Sequence, residues 1–194
     1  LDSGQLSIGP KVKEFEDLFA KYIGSKYAIA VNSGTSALHL CMRALDIKDG
    51  DEVITTPFSF IASSNCMLFE RAKPAFVDID EKTLCIDVDQ IEKKITSKTK
   101  AILPVHIFGH PSQMDRIMEI AKKHHLAVIE DACEALGAEF KGRKVGSFGN
   151  VGVFAFYPNK QITTSEGGMI VTDDERIAKL CQAMRNQGRT SNSE

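Results

Sequence analysis

The sequence lacks an excess of charge of either sign, and it lacks long apolar runs. Its 24 lysine and arginine residues against 26 aspartate and glutamate residues leave a net charge of −2, which argues against a nucleic-acid or anionic-membrane surface. No apolar stretch approaches the length of a membrane span, and the first ten residues, LDSGQLSIGP, have neither the basic nor the apolar region of a signal peptide. We therefore expect neither a nucleic-acid nor a membrane partner.

Paired cysteines and metal-ligand spacings are also missing. The five cysteines are scattered and odd in number, and no CxxC pair or Cys/His cluster has the spacing of a zinc site. No metal site is predicted. Most of the cysteines lie in apolar or helical patterns, where a reduced and buried thiol is the ordinary state. This usage indicates a reducing, cytoplasmic setting.

The common nucleotide-binding fingerprints are absent as well. The sequence contains neither GxxxxGK[ST] nor GxGxxG, so neither a nucleoside triphosphate nor a Rossmann-type dinucleotide is favoured. An NAD-dependent redox domain remains an alternative, but it would need a glycine fingerprint that the sequence does not have.

The 194 residues do contain a regular alternation of short apolar runs and helix-period segments. This alternation predicts an α/β fold with a mainly parallel seven-stranded sheet and helices on both faces. The last two strands are joined by a loop without a helix, which predicts one antiparallel strand. The predicted strands are 27–31, 52–55, 75–77, 101–105, 127–130, 151–156 and 169–172. The predicted helices are 11–22, 36–45, 59–70, 88–95, 114–124 and 174–185.

Ligands in such sheets collect outside the carboxyl ends of the strands, and the first strand is followed by the turn Asn32-Ser33-Gly34-Thr35-Ser36. Gly34 allows close approach of a backbone. The hydroxyls of Ser33, Thr35 and Ser36, with the N–H groups of the first helical turn, could cradle a phosphate. A plain helix N-cap explains the same residues, and the turn alone does not decide between the two.

Three further strand ends carry candidate side chains. Phe58 and Phe60 follow the second strand, where each is either core or a flat surface for a planar ligand. Asp131 ends the fifth strand, where it could meet a cationic ligand nitrogen or cap a helix. Lys160 follows an apolar strand, in the stretch YPNKQITTSEGG; it is either an ordinary surface charge or a reactive amine.

Taken together, these residues specify a ligand with a phosphate, a flat ring, a basic ring nitrogen and an aldehyde. Pyridoxal 5′-phosphate (PLP) has all four, and a lysine imine with an acid on the pyridine nitrogen is its usual protein environment. The sequence therefore predicts a PLP site.

The chain resembles the DegT/DnrJ/EryC1/StrS family of PLP-dependent sugar aminotransferases, which have the aspartate-aminotransferase-like fold type I. The resemblance implies that Lys160 forms the internal aldimine with PLP and that Asp131 contacts the pyridine nitrogen. It also implies that Gly34 and Thr35, with Ser36 beside them, bind the phosphate and that Phe60 stacks on the ring. The matching stretches are SGQLSIGP (3–10), VNSGTSALHL (31–40), TPFSFIASSN (56–65), PVHIFGH (104–110), IEDACEALGAEFKGRKVGSFG (129–149) and FAFYPNKQITTSEGGMIVT (154–172).

Two positions depart from the family pattern. Ala155 stands where the family form SFYPNK has a serine whose hydroxyl helps to hold the phosphate. Glu134 stands where the family often has glutamine or histidine, next to the ring hydroxyl.

Family chains are also longer, and this chain stops in the polar stretch GRTSNSE after its last helical pattern. We therefore expect residues 1–194 to be the PLP-binding large domain, without the family's smaller C-terminal domain. We also expect a homodimer whose active sites draw on both subunits.

The function implied is transfer of an amino group from an amino acid, with L-glutamate as donor, to a keto group of a nucleotide-linked sugar. Two alternatives share the fold. One is a PLP-dependent sugar dehydratase, in which a histidine replaces the lysine, so that Lys160 speaks against it. The other is a regulator that keeps the fold without turnover. The sequence does not identify the sugar or the carbon that is aminated.

Overall fold

The computed structural model describes residues 9–189. The predictions that concern residues 1–8, including most of the stretch SGQLSIGP, and the end of GRTSNSE lie outside these residues. The described strands are β1 (Tyr27–Val31), β2 (Glu52–Thr55), β3 (Lys73–Phe76), β4 (Thr99–Ile102), β5 (Ala127–Asp131), β6 (Glu139–Phe140), β7 (Arg143–Lys144), β8 (Val151–Ala155) and β9 (Gly168–Thr172). The described helices are α1 (Pro10–Ile23), α2 (Gly34–Ala44), α3 (Ala62–Phe69), α4 (Val88–Lys94), α5 (Met114–His124) and α6 (Glu175–Arg185), with a 3-10 turn at Ile107–Gly109.

Seven strands form one sheet in the order β1-β9-β8-β5-β4-β2-β3, and β6 and β7 form a separate hairpin. Strand β9 runs antiparallel to both of its neighbours, whereas the other pairings in the sheet are parallel. The predicted α/β fold, with a mainly parallel seven-stranded sheet and one antiparallel strand, is confirmed. As a result of this topology, five strands end at one edge of the sheet, and β9 begins at the same edge. The five strands are β1, β2, β4, β5 and β8.

Successive side chains of a strand point to opposite faces of the sheet. Because the strands are apolar on both faces, helices cover both of them. On one face the strands pack against α2, α3 and α6; on the other they pack against α1, α4 and α5. The first face includes Ile29, Val53, Ile129, Val153 and Ile170 with Leu38, Met67 and Cys181. The second includes Ala28, Phe154 and Met169 with Phe19, and Ile54, Ile102 and Val128 with Ile91 and Ile117.

Local sequence signals explain where several helices begin and end. Pro10 occupies the first turn of α1, where no N–H is needed, and Gly24 ends that helix at φ 87°. Asp174 caps α6 by accepting hydrogen bonds from the backbone N–H groups of Arg176 and Ile177. No described helix is both long and apolar enough to cross a membrane.

Several predicted boundaries were wrong, and two of the corrections concern the edge that carries the site. Helix α3 begins at Ala62 rather than at residue 59, so Ser59 and Phe60 lie in the loop after β2. Strand β4 ends at Ile102 rather than at residue 105, because Pro104 has no N–H to donate to a neighbouring strand. The hairpin β6–β7 and the 3-10 turn were not predicted.

Candidate active site

A cavity of about 450 Å³ lies at the edge where the parallel strands end. Six of the seven predicted site residues line it; Ser36 is the exception. The six are Gly34, Thr35, Phe60, Asp131, Glu134 and Lys160. Segments far apart in the sequence therefore present their predicted side chains to one space.

The turn after β1 is both a helix N-cap and one wall of the cavity. Ser33 caps α2, since its Oγ accepts a hydrogen bond from the N–H of Ser36 at 3.0 Å and also contacts the Ser36 hydroxyl at 3.0 Å. The N-cap interpretation is thus confirmed for Ser33 and accounts for Ser36. Gly34 and Thr35 lie in the first turn, where N–H groups have no intrahelical acceptor, and both face the cavity.

Gly34 is required by close packing. Its backbone is helical, but a Cβ atom built on it would come within 2.7 Å of the Ala155 Cβ and 3.2 Å of the Cys133 Sγ. The ends of β1, β5 and β8 therefore meet at a point where one methyl group does not fit. Ala155, the departure from the family pattern, is the residue that Gly34 approaches most closely.

Asp131 is buried at the end of β5 with its carboxylate on the cavity wall. One carboxylate oxygen accepts a hydrogen bond from the Ser63 hydroxyl at 2.7 Å, and the other accepts one from the N–H of Cys133 at 3.1 Å. The alternative role as a helix cap is wrong, because the element after β5 is the hairpin β6–β7. Asp131 instead fixes the turn that follows its own strand.

Lys160 is largely buried, with 14% of its side chain exposed. Its Nζ lies 3.2 Å from Oε1 of Glu134. The second oxygen of Glu134 accepts a hydrogen bond from the N–H of Phe108 at 3.1 Å. The surface-charge interpretation of Lys160 does not fit this burial, and Glu134 is the carboxylate that holds the amine in the cavity.

The two phenylalanines after β2 are both exposed, so neither belongs to the core. Phe60 is 72% exposed and lines the cavity, whereas the ring of Phe58 packs edge-on against Phe108 at 6.0 Å between centroids. Phe60 is thus the one placed to cover a planar ligand.

Sequence reasoning missed two residues next to the site. Ser63 was hidden in a helix pattern, and nothing local indicates that it reaches Asp131. Glu130 is fully buried and accepts hydrogen bonds from the N–H groups of Gly146, Phe148 and Gly149 at 2.6–2.7 Å. It also contacts Nε2 of His106 at 3.1 Å. Its position in the run LAVIED gives no sign of this network.

Cys133 also lines the cavity, but its thiol is not poised to react. Burial, followed by the charge of Asp131, raises the pKa of Cys133 well above its ordinary value. The thiol therefore stays protonated at neutral pH, and we assign it no chemical role.

Comparison with known proteins gives the family of this chain. The DegT/DnrJ/EryC1/StrS aminotransferase family matches residues 1–194. GDP-perosamine synthase of Caulobacter vibrioides is 48% identical over 186 residues, which cover 96% of this chain and 50% of that protein. The structure of S. venezuelae DesV in complex with a ketimine intermediate has a TM-score of 0.95 and 40% identity, and the match covers 100% of this chain and 52% of that one.

A third similar structure is E. coli GDP-4-keto-6-deoxy-D-mannose-3-dehydratase with bound hydrated PLP. Its TM-score is 0.94 and its identity 38%, over 100% of this chain and 51% of that one. The present chain spans about half the length of the curated relatives it matches. Since the family matches from the first residue to the last, and relatives near half identity cover nearly all of the chain, this chain belongs to the DegT/DnrJ/EryC1/StrS aminotransferase family.

Proposed function

We propose that this chain is the PLP-binding large domain of a nucleotide-sugar aminotransferase. The reaction moves an amino group from an amino acid, with L-glutamate as donor, to a keto group of a nucleotide-linked sugar. The observation that carries the proposal is the meeting of Lys160, Asp131 and the Gly34-Thr35 turn in one cavity. The sugar-nucleotide substrate is supported by relatives such as GDP-perosamine synthase.

The chemistry of the lining fits PLP. A carboxylate for the ring nitrogen, a primary amine for the aldehyde, an exposed aromatic ring and the N–H groups of a first helical turn all face the same space. Inside it, Asp131 is held by two donors and Lys160 by one carboxylate. Such a set matches a ligand that has a phosphate at one end and a basic nitrogen at the other.

When bound, PLP supplies an aldehyde that reacts with amines and a ring that accepts electrons from a breaking Cα–H bond. Gly34 and Thr35 would bind the phosphate at the N-terminus of α2, and Phe60 would cover a face of the ring. Asp131 would contact the ring nitrogen. Lys160 would take a proton from the substrate carbon as general base and, as general acid, deliver it to the cofactor carbon that carried the aldehyde.

Glu134 has a separate task in this scheme. Through its contact with the amine at 3.2 Å, it keeps Lys160 in the cavity. Because its other oxygen is bound to the N–H of Phe108, the carboxylate cannot follow the amine far. It therefore defines the position to which Lys160 returns.

The remainder of the proposal concerns what surrounds this domain. We propose that residues 1–194 belong to a longer chain whose smaller domain completes the substrate pocket. We further propose a cytoplasmic homodimer in which both subunits contribute to each site. The share of about half the relatives' length is consistent with the first of these statements.

A dehydratase of the same fold is the second candidate, because one similar structure is a PLP-containing dehydratase. Lys160 favours the aminotransferase, since the amine is present and faces the cavity. The regulator hypothesis makes the opposite prediction, namely that PLP binds and no amino group is transferred.

The test is chemical trapping in the full-length protein. After incubation with PLP and reduction with borohydride, peptide mapping should find the cofactor on Lys160. Lys160→Ala should remove this label, whereas Lys141→Ala, an exposed lysine paired with Asp115, should leave it in place. A label on any other residue of the wild type contradicts the proposal.

Turnover separates the three functions. Added L-glutamate should convert the bound cofactor to its pyridoxamine form, and a keto-sugar nucleotide should then receive the nitrogen. A deoxygenated sugar product without an amine would indicate a dehydratase. No conversion with any amino donor would indicate a regulator.

A further inference from the structure

A chain of hydroxyl groups leads from the cavity wall to Asp131. The hydroxyl of Ser59 lies 2.6 Å from that of Ser63, and the hydroxyl of Ser63 lies 2.7 Å from Oδ2 of Asp131. Ser63 is 1% exposed at the start of α3, whereas Ser59 is half-buried in the loop before it and lines the cavity. Two serines four residues apart thus reach a carboxylate 68 residues further along the chain.

Counting protons gives these bonds a direction. An ionised carboxylate only accepts hydrogen bonds. The hydroxyl of Ser63 must therefore donate its single hydrogen to Asp131. The oxygen of Ser63 is then the acceptor for Ser59. Both hydroxyl dipoles point toward Asp131, and such chains polarise one another and strengthen the final bond.

The other groups near Asp131 are weaker donors than the hydroxyl of Ser63. The second carboxylate oxygen accepts from the N–H of Cys133 at 3.1 Å. The nearby thiols stay protonated, because burial raises the pKa of Cys66 to about 12 and that of Cys133 well above its ordinary value. The cation that acts on Cys133 is Lys160, whose amine is engaged by Glu134. The thiol of Cys133 also interacts with Asp131, but a thiol is a weak donor. Among the described residues, Ser63 is therefore the hydroxyl that donates directly to the carboxylate of Asp131.

We propose that Ser63, supported by Ser59, is a positioning residue that aims the carboxylate of Asp131 at the ring nitrogen of PLP and so favours the proton on that nitrogen. This inference rests on the proposed function, because it concerns the proton shared between Asp131 and that nitrogen. With the hydroxyl of Ser63 in place, the carboxylate would be held where it can accept the hydrogen bond of a protonated ring nitrogen. Without that hydroxyl the carboxylate would be less firmly held, and the nitrogen would keep its proton less well.

The size of the effect follows from the strength of such bonds. A hydrogen bond to a charged group contributes enough to change an equilibrium by about tenfold to a hundredfold. Ser63→Ala should therefore shift the ratio of protonated to neutral ring by about that factor. Ser59→Ala removes only the outer hydroxyl and should act in the same direction with a few-fold effect.

The experiment is NMR of the full-length protein loaded with PLP labelled with ¹⁵N at the ring nitrogen, which reports protonation at that atom without turnover. In the wild type the resonance should lie at the protonated position. In Ser63→Ala it should move toward the neutral position, and in Ser63→Thr, which keeps the hydroxyl, it should stay near the wild type.

The matched control is Ser64→Ala on the same helix. The hydroxyl of Ser64 bonds to the carbonyl of Ile61 rather than to the site, so its loss should leave the resonance unchanged. A wild-type resonance in folded Ser63→Ala would overturn the inference. Should Ser63→Ala fail to fold, an unshifted resonance in Ser59→Ala overturns it in the same way.

Failure of the proposed function has a different signature. In that case the wild type itself would bind no labelled PLP, or would hold it without attachment to Lys160, and both ideas would fall together. Wild-type protein with PLP on Lys160 but no response to Ser63 would overturn only the inference about the serines.

Discussion

Glu130 and Asp131 are consecutive carboxylates at the end of one strand, yet their surroundings are opposite. Glu130 is fully buried and surrounded by three backbone N–H donors and a histidine ring nitrogen. Asp131 has two donors from the protein and faces a cavity. Because side chains alternate along a strand, the two point to different faces of the sheet.

One strand end therefore provides both a carboxylate that stabilises the fold and a carboxylate that is free to bind a ligand. A carboxylate with all its lone pairs used holds protein segments together, here the residue 146–149 loop and His106. A carboxylate with acceptor capacity left over on the cavity side is available to a ligand. We therefore predict that mutation of Asp131 mainly lowers turnover, whereas mutation of Glu130 mainly lowers stability.

The largest effect should come from Asp131→Asn. An amide cannot hold a proton on the ring nitrogen as a carboxylate does, so turnover should fall on the order of 10²–10³-fold, as when an electrostatic group at the reacting centre is lost. Steady-state assay of the full-length protein measures this loss. Thermal denaturation should show a smaller change in stability than for Glu130→Gln, and the reverse order would break the comparison.

Glu130→Gln should reduce the free energy of unfolding by about 3 kcal/mol, because a buried charged network loses a partner. Whichever way the amide is turned, its NH₂ group faces an N–H donor of the residue 146–149 loop. Urea denaturation with and without PLP provides the measurement. Wild-type stability together with lost cofactor binding would mean that Glu130 belongs to the chemistry after all.

Gly34→Ala tests the packing of the turn that we propose binds the phosphate. The new methyl group would come within 2.7 Å of the Ala155 Cβ, and strain of this kind typically costs about 1–3 kcal/mol. PLP affinity should therefore fall by about tenfold to a hundredfold, as measured by titration of visible absorbance.

The matched second variant is Gly34→Ala combined with Ala155→Gly, which removes the atom in closest contact. It should recover part of the lost affinity, since residues in direct contact are energetically coupled. Equal losses in the single and double variants would place the origin of the effect elsewhere than in this contact.

The smallest effect concerns the thiol of Cys133. Because its pKa is raised well above 9.0 by burial and then by the charge of Asp131, iodoacetamide should label it slowly, with a rate that still rises at pH 9. Asp131→Asn removes the second cause but not the first, so labelling of the cofactor-free protein should become a few-fold faster. Mass spectrometry measures the rate, Cys133→Ser provides the blank, and a slower rate would contradict the assignment of cause.

Much of the fold could be predicted, because its signals are local. The apolar run Val151–Ala155 becomes the buried strand β8, and the helix-period pattern at 114–124 becomes α5. The late start of α3 and the hairpin β6–β7 were missed, since short elements and helix ends depend on individual turns. The placement of Ser59 and Phe60 in a loop, which brings both to the cavity, follows from that late start.

The alternation of strands and helices is encoded in the local sequence, and from it follows the expectation that polar residues after parallel strands collect at one edge. The local sequence also determined which residue types stand there, namely an amine, an acid, an aromatic ring and a glycine turn. Their partners follow from the packing of distant segments: Glu134 contacts Lys160 across 26 residues, and Ser63 contacts Asp131 across 68. Periodicity encodes the geometry of a single element, whereas such contacts exist only once separate elements have packed together.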